Sequence, residues 1–203
     1  MLTLFHAPQS RSSRLVWLIE ELGADVQIEY CDIQRMMTGT GARDPRNPHP
    51  DGKVPALLHD GALITESAAI ALYLNGLHPK AGLGFAPDAP ERGPLLSWVC
   101  WGVGELEPAI WSRMKGETET DPLALARYDA AVTRLLEALW VGPYLMGDRF
   151  TLADVMIGST LGWARSLFPD SPLLDDYAAR LAARPAHQRA MLRDGEIADA
   201  CAA

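Results

Sequence analysis

The stretch Gly52-Lys53-Val54-Pro55-Ala56-Leu57-Leu58-His59-Asp60-Gly61-Ala62-Leu63-Ile64-Thr65-Glu66-Ser67 decides the fold. Two apolar runs, residues 54–58 and 63–64, flank a turn signal at His59-Asp60-Gly61 and read as paired strands. Proline gives a sheet no ladder donor, so Pro55 marks a strand's mouth, its edge or a tight bend. Lys53 stands just before it, and Val54 offers backbone groups that a ligand can pair with. The second strand then delivers Glu66 and Ser67 to a helix start, where unpaired N–H groups favour anions. A short extended peptide, charged at both ends, suits a unit that combines a cation, a backbone edge and an anion-binding helix end.

Strand and helix signals alternate around this unit. Leu2, Leu4 and Phe5 form a short apolar strand that ends at Pro8. Leu15, Leu18, Ile19 and Leu22 recur at helical spacing and stop at Gly23. Val26, Ile28 and Tyr30 alternate as a half-buried strand, and residues 36–51 are rich in glycine and proline, a loop with at most one helical turn. Ile70, Tyr73, Leu74 and Leu77 repeat the helical spacing. Residues 1–78 therefore predict a mixed α/β domain, and residues 79–90, with three prolines and two glycines, a linker. Residues 91–203 predict an all-α domain. Its first long helix bends or restarts at Pro108, its second begins at Asp121-Pro122, and Thr151 caps a third that Asp154 completes.

Composition narrows the function. The 203 residues are 48% hydrophobic and 22% charged, as in ordinary globular proteins, and carry a net charge of −8. Diffuse acidity disfavours nucleic acid and anionic membranes. An anionic ligand then needs local cations, which directs attention to Arg11, Arg14, Lys53 and His49. Cys31, Cys100 and Cys201 lie far apart without a Cys-x-x-Cys pair, so neither a dithiol site nor a zinc clip is expected. The histidines show no metal-ligand spacing, and we expect no bound metal. No leader pattern opens the chain and no apolar run approaches ~18 residues, so a reducing cytoplasm is the expected location.

Three segments carry a family resemblance: His49-Pro50-Asp51-Gly52-Lys53-Val54-Pro55, Glu66-Ser67-Ala68-Ala69-Ile70, and Leu145-Met146-Gly147-Asp148-Arg149-Phe150-Thr151-Leu152-Ala153-Asp154. In this order and spacing the chain resembles the cytosolic glutathione S-transferases over nearly its whole length, and most closely their bacterial and fungal serine-type members. Phe5 and His6 stand where the tyrosine-type members carry tyrosine. The resemblance implies a thioredoxin-like N-terminal domain with a cis proline at Pro55, a helical-bundle C-terminal domain and a homodimer. It also implies a glutathione site. There the Val54 backbone pairs with the cysteinyl unit and Lys53, together with His49, faces the glycyl carboxylate. Glu66 and Ser67 hold the γ-glutamyl end, Glu66 its ammonium and Ser67 its carboxylate. Read from the residues alone, Lys53 is equally a solvated turn cation, Ser67 a helix-start residue and Glu66 a favourable charge at the helix dipole.

Conjugation needs the thiolate of glutathione, and a thiol with a pKa near ~8.5 is only a few per cent ionised at pH 7. Lowering that pKa by about two units requires about 2.7 kcal/mol, which a donated hydroxyl and a helix N-terminus can supply. The resemblance places the working serine four residues before Arg14, at Ser10. Ser12 is the next candidate and Ser13 a further competitor, one of them serving as helix cap, while Arg11 adds positive field. Cys31 reads as a small buried hydrophobe. The resemblance also implies a second-substrate site between the domains, with Trp98, Trp101, Glu105, Trp111 and Met114 as candidates. Helical periodicity does not separate its lining from core packing. The expected activity is conjugation of glutathione to apolar electrophiles. A peroxidase, isomerase or dehalogenase using the same thiolate, or a non-catalytic binding or stress-response module, are the alternatives.

Overall fold

The computed structural model describes the backbone of residues 1–202 and the side chains of residues 1–197, so Cys201 lies outside the described side chains. The chain divides into two compact units, Met1–Ala81 with Pro185–Ala203, and Gly82–Arg184.

The first unit opens with β1 (Leu2–His6), α1 (Ser13–Leu22), β2 (Gln27–Tyr30), β3 (Ala56–His59), β4 (Ala62–Thr65) and α2 (Ser67–Leu77). The sheet order is β2-β1-β3-β4, with β1 and β2 parallel and the other neighbours antiparallel. This is the mixed four-stranded sheet expected of a thioredoxin-like domain. Leu4 and Leu57, opposite one another in the register, are fully buried, as are Leu15, Leu18, Ile70 and Leu74 from the helices. Gly23 closes α1 at φ 59°, a left-handed conformation that costs glycine little.

Residues 31–55 are irregular throughout, and Asp44 organises the middle of this loop. It accepts hydrogen bonds from the Arg46 guanidinium at 2.7 Å, the Arg46 N–H at 2.9 Å and the Asp32 N–H at 3.3 Å. Gly52 sits at φ 63°, and a Cβ there would come within 2.7 Å of the Arg43 side chain, so the turn into Lys53 requires glycine.

The second unit contains α3 (Arg92–Trp101), α4 (Glu107–Met114), α5 (Pro122–Val141), α6 (Leu152–Ala164) and α7 (Pro172–Ala182). Between α3 and α4 the chain keeps winding as a π turn, Gly102–Leu106, in which the Glu107 N–H reaches back to the Gly102 carbonyl. The helix thus restarts as α4 beside Pro108, as the sequence reading expected. Pro108 occupies the first turn of α4, where its missing N–H costs little. Asp121 caps α5 through the Leu123 N–H at 2.9 Å. Thr151 and Asp154 form the expected capping box at α6. The Asp154 carboxylate also accepts from the Leu145 N–H at 2.9 Å and the Tyr177 hydroxyl at 3.0 Å, so one buried group ties the loop before α6 and the middle of α7 to the helix start.

Two boundaries differ from the sequence reading. Residues 82–90, expected as a linker, are held to their own unit: Arg149 donates to the Gly82 and Gly84 carbonyls at 2.8 and 2.7 Å, and the Leu83 carbonyl accepts from Leu152. The final helix α8 (Pro185–Ala202), expected within the all-helical domain, packs along α1 in the first unit. Its charged face explains why. Arg189 and Arg193 pair with Glu20 at 2.9 and 3.3 Å, His187 meets Trp17 edge-on at 4.7 Å, and Asp194 bonds the Ser13 hydroxyl. Among the described residues no helix is long and apolar enough to cross a membrane.

Asp154→Ala should lower unfolding free energy by about 3 kcal/mol in denaturant titration, because it strands buried donors; a loss below about 1 kcal/mol would exclude this role. Acid should act on the loop through Asp44. Hydrogen bonds from Arg46 are the main cause that holds its carboxyl down to about 2. The ordinary range is near 3.9, so this stabilisation is complete above about pH 4 and disappears as pH falls through about 2. Asp44→Asn should flatten the acid limb of an unfolding titration in that window, and an unchanged limb would refute the assignment.

Candidate active site

The sheet register gathers the sequence candidates at one end of the first unit. Phe5 on β1 pairs with Ala56 on β3, and Ala56 pairs with Thr65 on β4. The loop leaving β1, the segment entering β3 and the residues leaving β4 therefore emerge side by side. They carry Ser10, Val54-Pro55 and Glu66-Ser67 respectively.

The Val54-Pro55 bond is cis, as the resemblance implies. Ladder pairing begins at Ala56, so the Val54 backbone lies just outside it. The Asn47 amide fixes this approach by donating to the Lys53 carbonyl at 2.9 Å. Lys53 itself is exposed, its ammonium 3.4 Å from Asp51. His49 is buried, and its Nδ1 accepts the Asp51 N–H at 3.1 Å, so that nitrogen is engaged within its own turn. Arg11 is exposed. Glu66 is exposed at φ 68°, a left-handed backbone that costs a non-glycine residue on the order of 1–3 kcal/mol. Ser67 is buried as the first residue of α2, and the N-cap residue Glu66 makes no side-chain cap to that helix. The α2 N-terminus thus meets the site without a side-chain cap from Glu66.

The three serines have separate surroundings. Ser12 is fully buried. Its hydroxyl lies 2.7 Å from His6 Nδ1 and 2.7 Å from Ser10 Oγ, donates to the Ala7 carbonyl at 3.1 Å and accepts the Ala7 N–H at 3.2 Å. The hydroxyl has one proton to share among these acceptors. Ser13 donates to Asp194 at 2.9 Å. Ser10 is half-buried. Its hydroxyl donates to the Ala7 carbonyl at 2.7 Å, and its oxygen accepts the Ser12 N–H at 3.1 Å. Ser12, expected as either nucleophile activator or helix cap, precedes α1 without capping it, because its hydroxyl is spent on His6 and Ala7.

Asp194 and His6 complete this cluster and were not among the sequence candidates. The His6 ring is fully buried, with Nε2 2.9 Å from Asp194 Oδ1. At that distance Nε2 still lacks a well-aligned hydrogen-bond acceptor. Asp194 also accepts the Gln9 N–H at 3.1 Å. Burial alone would raise its carboxyl, but the contacts with His6, Gln9 and Ser13 outweigh that and hold it below the ordinary carboxylate range. Asp194 follows Ser13 by 181 positions, so no local pattern announces the contact. Cys31, at the end of β2, is buried, and burial is the main cause that pushes its thiol up to about 11, the behaviour of an inert hydrophobe.

The candidates for a second-substrate pocket lie in the second unit. Trp101 meets Trp98 edge-on at 5.2 Å, and the Arg134 guanidinium lies 4.6 Å from both rings. Glu105 is exposed on the π turn. Trp111 pairs with Trp163 at 6.0 Å. Among the described residues no group of His, Cys, Asp and Glu stands in a metal-binding arrangement.

Comparison with known proteins agrees with this geometry. Residues 1–76 match the glutathione S-transferase N-terminal domain family and residues 105–183 the C-terminal domain family. The chain is 29% identical over 198 residues to glutathione S-transferase GstA of Escherichia coli O157:H7, covering 95% of this chain and 98% of that protein. It is 33% identical over 147 residues to the glutathione S-transferase-like protein LUC7 of Fusarium sp, covering 68% of this chain and 67% of that protein. The crystal structure of a glutathione transferase from Methylococcus capsulatus str. Bath superposes with a TM-score of 0.81 at 32% identity, over 96% of this chain and 99% of that one. A sphingomonad glutathione S-transferase complexed with glutathione gives 0.79 at 28% identity, over 95% and 98%. The chain belongs to the glutathione S-transferase family.

Proposed function

We propose that this protein is a glutathione transferase of the serine type, which joins the glutathione sulfur to apolar electrophilic small molecules, with Ser10 stabilising the thiolate. One observation carries the reading. A half-buried hydroxyl, a backbone edge beside a cis proline and an uncapped helix start emerge together from the register Phe5–Ala56–Thr65. These are the groups needed to hold an extended tripeptide by its middle and its γ-glutamyl end while a hydroxyl reaches its thiol.

Each residue has a task in this reading. The Val54 backbone pairs with the cysteinyl unit, and Lys53 faces the glycyl carboxylate. Ser67 and the α2 N–H groups receive the γ-glutamyl carboxylate, and Glu66 receives the ammonium. His49 is assigned to the turn, because its Nδ1 already accepts the Asp51 N–H. Ser10 is favoured over Ser12 and Ser13 because it is half-buried, whereas Ser12 is sealed in the interior and Ser13 is bound to Asp194. The Ser10 hydroxyl needs only to turn from the Ala7 carbonyl to donate to the sulfur. It stabilises an anion without taking up its charge, an electrostatic role. The electrophile site and a homodimer complete the proposal; sedimentation at micromolar concentration checks the latter, and a monomer would remove it.

Ser10→Ala should leave glutathione binding within about threefold, raise the apparent pKa of the conjugation rate and lower kcat by roughly a hundredfold, a typical loss for one donor to a developing anion. Unchanged turnover between about pH 6 and pH 8 would sink Ser10 as the activating residue. Ser67→Ala should raise KM for glutathione about tenfold, the cost of one hydrogen bond to a charged group, with kcat little altered. Steady-state kinetics with an aryl halide measures both, and a Ser67→Ala enzyme with normal KM would remove the γ-glutamyl assignment.

A further inference from the structure

We propose that the pair Asp194–His6 is the internal acceptor of the glutathione thiol proton, reached through Ser12 and Ser10. The inference rests on the conjugation reading above and adds a destination for the proton that the reading leaves to solvent. The chain of contacts is continuous. Ser10 Oγ lies 2.7 Å from Ser12 Oγ, Ser12 Oγ 2.7 Å from His6 Nδ1, and His6 Nε2 2.9 Å from Asp194 Oδ1. Ser10 alone of the two hydroxyls is partly open, whereas Ser12 and the His6 ring are fully buried.

The step balances as a proton relay. In the starting state Nε2–H faces Asp194, Nδ1 accepts the Ser12 hydroxyl, Ser12 accepts the Ser10 hydroxyl, and Ser10 accepts the thiol S–H. The S–H bond breaks as its proton passes to Ser10 Oγ. The Ser10 proton passes to Ser12 Oγ, and the Ser12 proton forms a bond to His6 Nδ1. One proton has then moved from sulfur to imidazole, and no heavy atom need shift. Every hydrogen bond now runs towards the sulfur, so the thiolate ends with the Ser10 hydroxyl donating to it. The Ala7 and Ser12 N–H groups hold the two oxygens in place throughout.

Asp194 makes the end state tolerable. A buried imidazolium without a counter-charge is costly, and a carboxylate at 2.9 Å supplies one. The division of labour follows the hydroxyl–imidazole–carboxylate triad, with the ring nitrogens exchanged and one more hydroxyl in line. His6 and Asp194 act on the sulfur only through the serines and are positioning residues in that sense. Asp194 also ties Gln9 and Ser13, so loss of activity on its removal would not separate relay from scaffold.

The deciding experiment uses the unaltered protein. It is mixed with glutathione in weak buffer containing a pH indicator, and thiolate absorbance and proton release are followed together. Thiolate formation with little or no proton released is the expected result. About one proton released per thiolate overturns the relay while leaving the conjugation reading intact. No thiolate at all overturns both. His6→Asn, which keeps an acceptor for Ser12 but leaves Asp194 unreached, should restore release to about one proton per thiolate formed. It should also lower kcat about a hundredfold, the low end of a general-base contribution, with KM for glutathione within about twofold. In that variant, thiolate formation that still proceeds without proton release overturns the assignment of His6.

Discussion

The antiparallel register of β3 against both β1 and β4 is the constraint on which the rest depends. It sets Phe5, Ala56 and Thr65 in line, and so fixes where three separate loops leave the sheet. Side chains alternate faces along a strand, so a slip of one residue would turn Leu4 and Leu57 out of the core. Burial of those two leucines beneath α1 and α2 therefore holds the active-site end in register. Core packing and site geometry are one constraint seen from two ends of the sheet.

Two buried carboxylates show how partners decide the charge of an interior group. Asp154 and Asp194 both meet desolvation as the largest influence on their carboxyl groups, and burial alone would raise each. Asp154 is surrounded by neutral donors, the Leu145 and Thr151 N–H groups and the Tyr177 and Thr151 hydroxyls, and its carboxyl stays raised. Asp194 has an imidazole within 2.9 Å as well as an N–H and a hydroxyl, and its carboxyl is lowered. The first suits a structural knot at a helix start. The second suits a carboxylate held in its charged form beside the His6 ring.

The candidate site gathers several backbone irregularities. Glu66 adopts a left-handed backbone, the Val54-Pro55 bond is cis, and Gly52 turns under Arg43. The left-handed backbone at Glu66 is the strained one for a non-glycine residue, and buried Ser67 follows it directly. A preformed site spends less of its binding free energy on ordering the protein.

The sequence by itself determined the local elements. Alternation and helical spacing marked β1, α1 and α2. Pro55 marked the entry to β3 and the Glu66-Ser67 pair the start of α2, and Thr151 with Asp154 marked the start of α6. Each of these signals lies within a few residues of the group it positions. Only the tertiary structure decided that α8 belongs with α1, because pairing of Glu20 with Arg189 and Arg193 spans the whole chain. It also separated three serines that look alike in sequence. Ser12 is sealed against His6, Ser13 is tied to Asp194, and Ser10 is left at the margin. Local periodicity fixes which face of an element is apolar, but burial of a polar side chain and the identity of its distant partner arise only when elements pack.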